Sequence, residues 1–235
     1  MQYLYLIINL ASISIPFVFS FHPKLNFYKN WIDFFKSNFI VSFVFILWDI
    51  LYTNIGVWGF NSEYLIGVNF FKLPIEEYLF FLCIPYSCLF TWHCFEILIK
   101  RPLFTKIEKH ISFFLILCST IVAILNYDRL YTTVTFALLA ISIFYFKYIL
   151  KVKWLGKFYF TYLILIIPFL IVNGKLTGYG LDKPIVWYND FENIGFRLLT
   201  IPIEDIFYGM LLILLHVFFY NYFKSDKVLL KKLAN

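Results

Sequence analysis

Charge is scarce in this chain: only 14% of its 235 residues are charged, where soluble domains carry about 25%. Hydrophobic residues make up 62% and the mean hydropathy is +0.79, which excludes an ordinary soluble domain and points to an integral membrane protein. Cysteine is also sparse. Cys83, Cys88, Cys94 and Cys118 all fall inside apolar segments, with no CxxC pair and no spaced His/Cys cluster, so no metal site or disulfide framework is expected and they read as small apolar fillers. No GxGxxG fingerprint for a flavin or nicotinamide cofactor occurs. The first residues lack the basic region of a cleavable signal peptide, and the apolar run from Tyr3 to Phe21 is long enough to span a bilayer, so it is read as the first membrane helix.

What the sequence does have is apolar length. Seven segments of spanning length lie at about 3–20, 38–54, 75–99, 111–127, 130–149, 157–173 and 203–223. The loops between them sort by charge. Alternate loops hold Lys24, Lys29 and Lys36; Lys100, Arg101, Lys106 and Lys109; Lys147, Lys151, Lys153 and Lys157; and Lys224, Lys227, Lys231 and Lys232, fifteen of the twenty cationic residues. The positive-inside rule makes that side cytoplasmic, with the N-terminus outside and the C-terminus inside. The net charge of +6 is thereby assigned to topology, and no nucleic-acid partner is implied. Thirty-one Phe and eighteen Tyr exceed what interfacial belts need. Part of this aromatic surface is expected to line an interior that faces something flat, apolar or cationic, although any single Phe serves equally well against lipid.

A repeat organises the chain. Adding 128 carries Asn61 to Asn189, Gly67 to Gly195, and Pro74-Ile75-Glu76-Glu77 to Pro202-Ile203-Glu204-Asp205. The shared pattern is aromatic-Asn-x5-Gly-x6-Pro-Ile-Glu-acidic, with Phe60 and Tyr188 as the aromatic residues. Slightly upstream, an offset of 124 pairs Asp49-x3-Thr53-x2-Gly56 with Asn173-x3-Thr177-x2-Gly180, a short and weaker match. Helices one to three thus repeat as five to seven with helix four between them, a 3+1+3 all-α polytopic membrane fold: residues 1–105, a linker helix in 106–129, and 130–235. One reversal through helix four makes the repeat parallel, so both acidic pairs are expected at the outer membrane boundary, converging on one cavity.

Pro74 and Pro202 suit the first helical position, which puts Glu76, Glu77, Glu204 and Asp205 in first turns. Helix-dipole stabilisation alone accounts for one such pair. A duplicated pair in so apolar a chain argues for chemistry. Adjacent helical carboxylates point about 100° apart, so one of each pair is expected to face the cavity while the other orients it or reaches water. Burial and mutual repulsion favour one neutral acid beside an ionised base. Phe80, Phe81 and Tyr208 follow one turn later, and Trp58, Phe60, Trp187 and Tyr188 precede the helices. Such rings stabilise a cation without trapping it, and interfacial anchoring serves the tryptophans equally well. Asp49, in the outer half of helix two, is a functional candidate by its cost in a membrane, with Asn173 as its neutral twin. Asn61 and Asn189 suit turns as well as substrate contacts. His93 and Glu96, near the cytoplasmic end of helix three, read as packed or snorkelling residues.

The duplicated Pro-Ile-Glu-acidic motif, with the upstream Trp48-Asp49 and Phe60-Asn61 elements, resembles the membrane-integral lycopene cyclase family in its single-chain fused form, over nearly the whole chain. The resemblance implies a lycopene β-cyclase of a bacterial cytoplasmic membrane, an intramolecular lyase or isomerase that needs no cofactor. A carboxylic acid protonates the terminal double bond of lycopene's ψ-end, the next double bond attacks the cation, and a base removes a ring proton, giving γ- and β-carotene. It implies catalytic roles for Glu76 and Glu204 as acid and base in either order, with Glu77 and Asp205 as partners. The implied substrate-contacting residues are Asp49, Trp58, Phe60, Asn61, Phe80, Phe81, Asn173, Trp187, Tyr188, Asn189 and Tyr208. The partners are the C40 polyene, bilayer lipid and other carotenoid-pathway enzymes. Carotenoid hydratases and other end-group cyclases share this setting. Small 3+1+3 sugar transporters share the topology, but the chain has no Pro-Gln motif and its interior is rich in phenylalanine. The last helix has no lysine for a retinal Schiff base from Ile203 to Phe223.

Overall fold

The computed structural model describes residues 2–101 and 104–233, with side chains up to residue 225. The side chains of Lys227, Lys231 and Lys232, counted above, lie outside the described set. Among the described residues the chain forms seven α-helices: α1 (Leu4–Phe19), α2 (Trp31–Ile55), α3 (Ile75–Leu98), α4 (Glu108–Leu125), α5 (Leu130–Phe144), α6 (Leu155–Leu176) and α7 (Ile203–Leu233). Six are long and apolar enough to cross a membrane. α1, with 16 residues, rises about 24 Å at 1.5 Å per residue, a little short of the bilayer's hydrocarbon core. The protein is a multi-pass membrane protein. The helix boundaries follow the apolar segments closely, with two departures. α2 begins at Trp31, seven residues before the expected apolar span, and α7 continues helical to Leu233. Lys and Leu are good helix formers whether or not lipid surrounds them, so hydropathy underestimates helix length at the ends.

The chain divides into two compact units. One comprises Tyr3–Leu51, Leu65–Lys100 and Leu212–Asn235 and holds α1, most of α2, and α3. Its core is Tyr5, Phe34, Phe45, Phe81, Leu89 and Trp92, all nearly inaccessible. Proline within its helices is tolerated because each orphaned carbonyl finds another donor. Pro16 cannot donate to the carbonyl of Ser12, and the hydroxyl of Ser87 on α3 does so at 2.9 Å. Pro85 leaves the carbonyl of Phe81 free, and Ser42 on α2 donates to it at 2.9 Å. At the far end of α3, Lys224 donates to Glu96 at 2.7 Å. These two residues are themselves 128 apart. His93 is buried, with Nε2 2.8 Å from the Leu25 carbonyl.

The other unit contains Tyr52–Tyr64 and Arg101–Leu211, hence α4, α5, α6 and the first turns of α7. Here two short strands, β1 (Trp58–Phe60) and β4 (Val186–Tyr188), pair antiparallel, with Trp58 opposite Tyr188, Gly59 opposite Trp187 and Phe60 opposite Val186. Gly59 and Trp187 are repeat twins that face each other, so a local two-fold passes between them. The flanking hydrogen bonds obey it: Asn61 N–H donates to the Ile185 carbonyl and Asn189 N–H to the Val57 carbonyl, both at 2.8 Å. Glycine is required at position 59 because a Cβ there would lie 2.4 Å from Cζ2 of the Trp187 indole. Gly59→Ala is expected to displace that ring and weaken the strand pair by about 1–3 kcal/mol. The check is the half-life of the detergent-solubilised protein at a fixed elevated temperature, which should shorten.

Each acidic motif is delivered by a β-hairpin that ends at its proline. In the α1–α3 unit β2 (Asn69–Phe70) pairs with β3 (Leu73–Pro74), and in the α4–α6 unit β5 (Arg197–Leu198) pairs with β6 (Ile201–Pro202). Phe71 and Lys72 both hold positive φ, 50° and 67°, the geometry of a tight two-residue hairpin turn formed without glycine. Pro74 caps α3 from extended backbone, φ −67° and ψ 149°, so the helix starts one residue after the proline and not on it. The hairpin N–H groups are closed alike in both copies: Ile75 N–H donates to Val68 at 2.9 Å and Ile203 N–H to Phe196 at 3.0 Å.

Candidate active site

In the α1–α3 unit the loop before the hairpin folds over the start of α3. The Ile66 N–H donates to Oε1 of Glu76 at 2.7 Å. Asn9 from α1 donates to the Glu76 carbonyl at 2.8 Å. Oε2 of Glu76 is buried and has no hydrogen-bond partner among the described residues. Glu77 turns the other way and is held by side chains alone. The Tyr5 hydroxyl of α1 donates to its Oε2. Asp49, Glu76 and Glu77 are all buried.

The α4–α6 unit repeats the plan with different chemistry. The Ile194 N–H donates to Oε1 of Glu204 at 2.7 Å, and the Thr132 hydroxyl of α5 donates to the same oxygen at 2.7 Å. Oε2 of Glu204 is again buried without a partner among the described residues. Asp205 accepts three donors: Tyr131 on Oδ1 at 2.6 Å, and Asn173 and Tyr188 on Oδ2 at 2.7 and 2.9 Å. Three donors on one carboxyl group stabilise its negative charge. Aromatic rings gather beside it. Trp58 lies edge-on to Tyr131, Tyr188 and Tyr208 with centroids 5.1, 6.2 and 6.2 Å away, and Tyr131 stacks on Tyr188 at 5.9 Å. Tyr52 closes on Trp58 at 4.9 Å.

Five of the residues singled out in sequence therefore come together in one unit: Asp205, Trp58, Tyr188 and Tyr208 form one carboxyl and ring cluster, with Asn173 as a donor to it. Phe81 is buried against Phe45 at 6.4 Å, and Phe80 stands edge-on to Phe81 at 5.5 Å. Phe60 is half-buried in β1, whereas Trp187 is 43% exposed against Gly59. Asn61 and Asn189 each accept from the backbone N–H two residues on, at 3.1 Å, which makes them turn formers. Of the two roles expected for the second acid of each pair, orienting its neighbour or reaching water, the second does not hold: all four are buried, with Glu76 and Glu204 at 0% exposure. The hairpin and the overlying loop cover the first turn of each helix, and neighbouring helices supply the partners that water would have been.

Sequence reasoning missed Tyr5, Tyr131, Thr132, Ile66 and Ile194. Tyr5 and Tyr131 play the same part, each donating to the second acid of its copy, yet they are 126 apart and not 128. A search of helix one allowing a two-residue slip would have paired them. Ile66 and Ile194 act through backbone N–H groups, which any residue except proline supplies, so no side-chain signal marks them.

A family model described as lycopene cyclase matches the chain in two segments, residues 2–95 and 128–223. The two segments correspond to the two copies of the repeat. No curated protein and no solved structure matches.

Proposed function

Since the chain belongs to the lycopene cyclase family, we propose that this carotenoid-cyclising membrane enzyme is a lycopene β-cyclase, converting ψ-ends to β-ionone rings and yielding γ- and β-carotene. The reaction is an acid–base isomerisation that consumes no redox equivalent. A carboxyl O–H gives its proton to the terminal double bond, leaving a tertiary carbocation. The next double bond supplies its electron pair to close the ring and move the cation inside it, and a carboxylate takes a ring proton to leave the new double bond. One proton enters and one leaves.

The observation that carries this reading is the pair of free carboxyl oxygens. Glu76 and Glu204 each keep one buried oxygen without a partner among the described residues, while the other is fixed by a backbone N–H ten residues upstream. A buried unpartnered carboxyl oxygen costs stability, and its recurrence at twin positions fits proton-transfer groups held in place and kept unblocked. Glu77 and Asp205 orient and balance them. Alkene protonation is uphill, so the developing cation needs help. The Asp205 carboxylate and the rings of Trp58, Tyr131, Tyr188 and Tyr208 suit it, because cation–π attraction and a fixed negative charge are strong where water is absent. Asp49, Phe60, Asn61, Phe80, Phe81, Asn173, Trp187 and Asn189 complete the assigned substrate environment, most of them through the residues they support.

We read the helices as two three-helix repeats, residues 1–105 and 130–235, joined by α4. The twin contacts Gly59–Trp187 and Glu96–Lys224 support that reading. The charge distribution supports an N-terminus outside and a C-terminus in the cytoplasm of a bacterial inner membrane. Expression in a host that accumulates lycopene tests the function. The pigment should pass from red to orange-yellow, with new carotenoids of unchanged mass. A product heavier by one water would make the protein a hydratase. Unchanged lycopene would refute the cyclase reading and leave the transporter class standing.

A further inference from the structure

Within the α4–α6 unit lies a feature that the carboxyl chemistry does not use, an apolar groove of about 340 Å³. α4 presents Phe114, Cys118, Ser119 and Val122 to it from one helical face. The two residues in the middle of that face are small, and they leave room that a leucine or phenylalanine would take. Phe136 of α5, Ile203 and Phe207 of α7, and Ile194 and Phe196 before the second hairpin complete the lining. Phe114 and Phe196 are 64% and 59% exposed, so the groove is open on one side. Another wall belongs to the acid site. The Ile194 N–H holds Oε1 of Glu204 at 2.7 Å, and Ile203 directly precedes that glutamate.

An exposed apolar face is ordinary in a bilayer and by itself assigns no ligand. The difference between the two copies points to one. Ile194 and Ile203 have isoleucines as twins, Ile66 and Ile75, so the frame around each glutamate is kept. Phe136, Phe196 and Phe207 have aliphatic twins, Leu10, Val68 and Leu79, the first at the offset of 126 and the others at 128. Phe114 comes from α4, the helix without a twin. Four phenylalanines are therefore particular to the second copy and surround one groove, with the rings of Phe136 and Phe207 4.6 Å apart. Flat rings pack well against a flat conjugated chain. The volume lies at the low end of the roughly 300–1,000 Å³ of ligand pockets, which suits one part of a long chain. We infer that this groove holds the conjugated stem of the polyene substrate, and that α4, the unrepeated helix, serves to form it. This deepens the cyclase reading and rests on it for the identity of the ligand: the groove grips the chain whose ψ-end Glu204 addresses.

Two measurements on the full chain in proteoliposomes test this. Cys118→Phe fills the groove, and KM, expressed as lycopene per lipid, is expected to rise at least about fivefold while kcat changes less than about twofold, the mark of lost binding. Cys118→Ala should leave both near wild type. The second measurement needs no turnover. Alkylation of Cys118 by N-ethylmaleimide, followed by mass spectrometry of its peptide, is expected to slow at least about threefold when lycopene is added, because reaction requires access to the thiol. Cys83, Cys88 and Cys94, which lie on α3, are the internal reference and should react at unchanged rates. Squalane, a saturated isoprenoid, should not protect. Equal protection by squalane would make the groove a general apolar seat and overturn the inference, as would an unchanged KM in a Cys118→Phe protein that inserts normally. Should Cys118→Phe fail to insert, the alkylation result decides. Lycopene conversion without protection of Cys118 refutes the groove and leaves the cyclase reading standing. Protection without conversion refutes the cyclase reading and leaves a polyene site.

Discussion

Replacing Glu204 with glutamine is expected to slow cyclisation by about 10²- to 10⁴-fold, the range that a lost general acid or base spans. The substitution is nearly isosteric. The amide oxygen can still accept from the Ile194 N–H and the Thr132 hydroxyl, which both now address Oε1. The amide nitrogen would then occupy the position of Oε2, which has no hydrogen-bond partner among the described residues, so no donor there is displaced. Protein level and membrane insertion should match the wild type while turnover falls. Glu76→Gln is a parallel case with one fewer donor, since among the described residues only the Ile66 N–H, at 2.7 Å, holds Oε1. Both variants are checked by quantifying carotenoid products per unit of inserted protein at saturating lycopene, and wild-type turnover in both would end the assignment of these glutamates. The substitutions lower kcat and leave KM near its starting value if the free oxygens act on the transition state.

How much of this could be read from the chain depended on which atoms carried the information. Pro74-Ile75-Glu76-Glu77 and its twin were legible because side-chain identity at a fixed offset marked them. The seven helices were legible because a bilayer demands apolar length. The hairpins that deliver the motifs were not: Phe71 and Leu199 turn the chain with positive φ, at 50° and 59°, in positions where glycine or asparagine would have announced a turn. The 124-residue offset, weak as a sequence match, has a clear structural counterpart. Asp49 is buried like the acids, Asn173 donates to the second acid of its copy, and Gly56 and Gly180 both hold positive φ, 78° and 69°. Changing offsets, 124 in the second helix, 126 at Tyr5 and Tyr131, and 128 from β1 onward, hid the tyrosines from a search with one fixed spacing. The convergence of Trp58 with Tyr131 was hidden for another reason, because it depends on β1 pairing with β4 across more than a hundred residues of chain.

Asp205→Asn should separate the role of charge from the role of structure. The carboxylate has Tyr131 on one oxygen, and Asn173 with Tyr188 on the other. An asparagine fits if its oxygen faces Asn173 and Tyr188, which must donate, and its nitrogen faces Tyr131, whose hydroxyl can turn and accept. Every hydrogen bond is then remade, so insertion and thermal half-life in detergent are expected to stay near wild type. What is lost is the negative charge beside the aromatic cluster. One ring of that cluster contributes about 0.5–2 kcal/mol to a bound cation, so Trp58→Leu should slow turnover only about 2- to 30-fold. A unit charge at a few ångströms in a dry site outweighs a ring quadrupole, and Asp205→Asn is expected to cost about 10²- to 10³-fold, in line with removal of one preorganised electrostatic group. The order of the two effects is the diagnostic, measured as lycopene turnover in the same membranes. If Trp58→Leu proved the more damaging, the rings would be the principal cation stabiliser and Asp205 a structural hub that ties α5, α6 and β4 together.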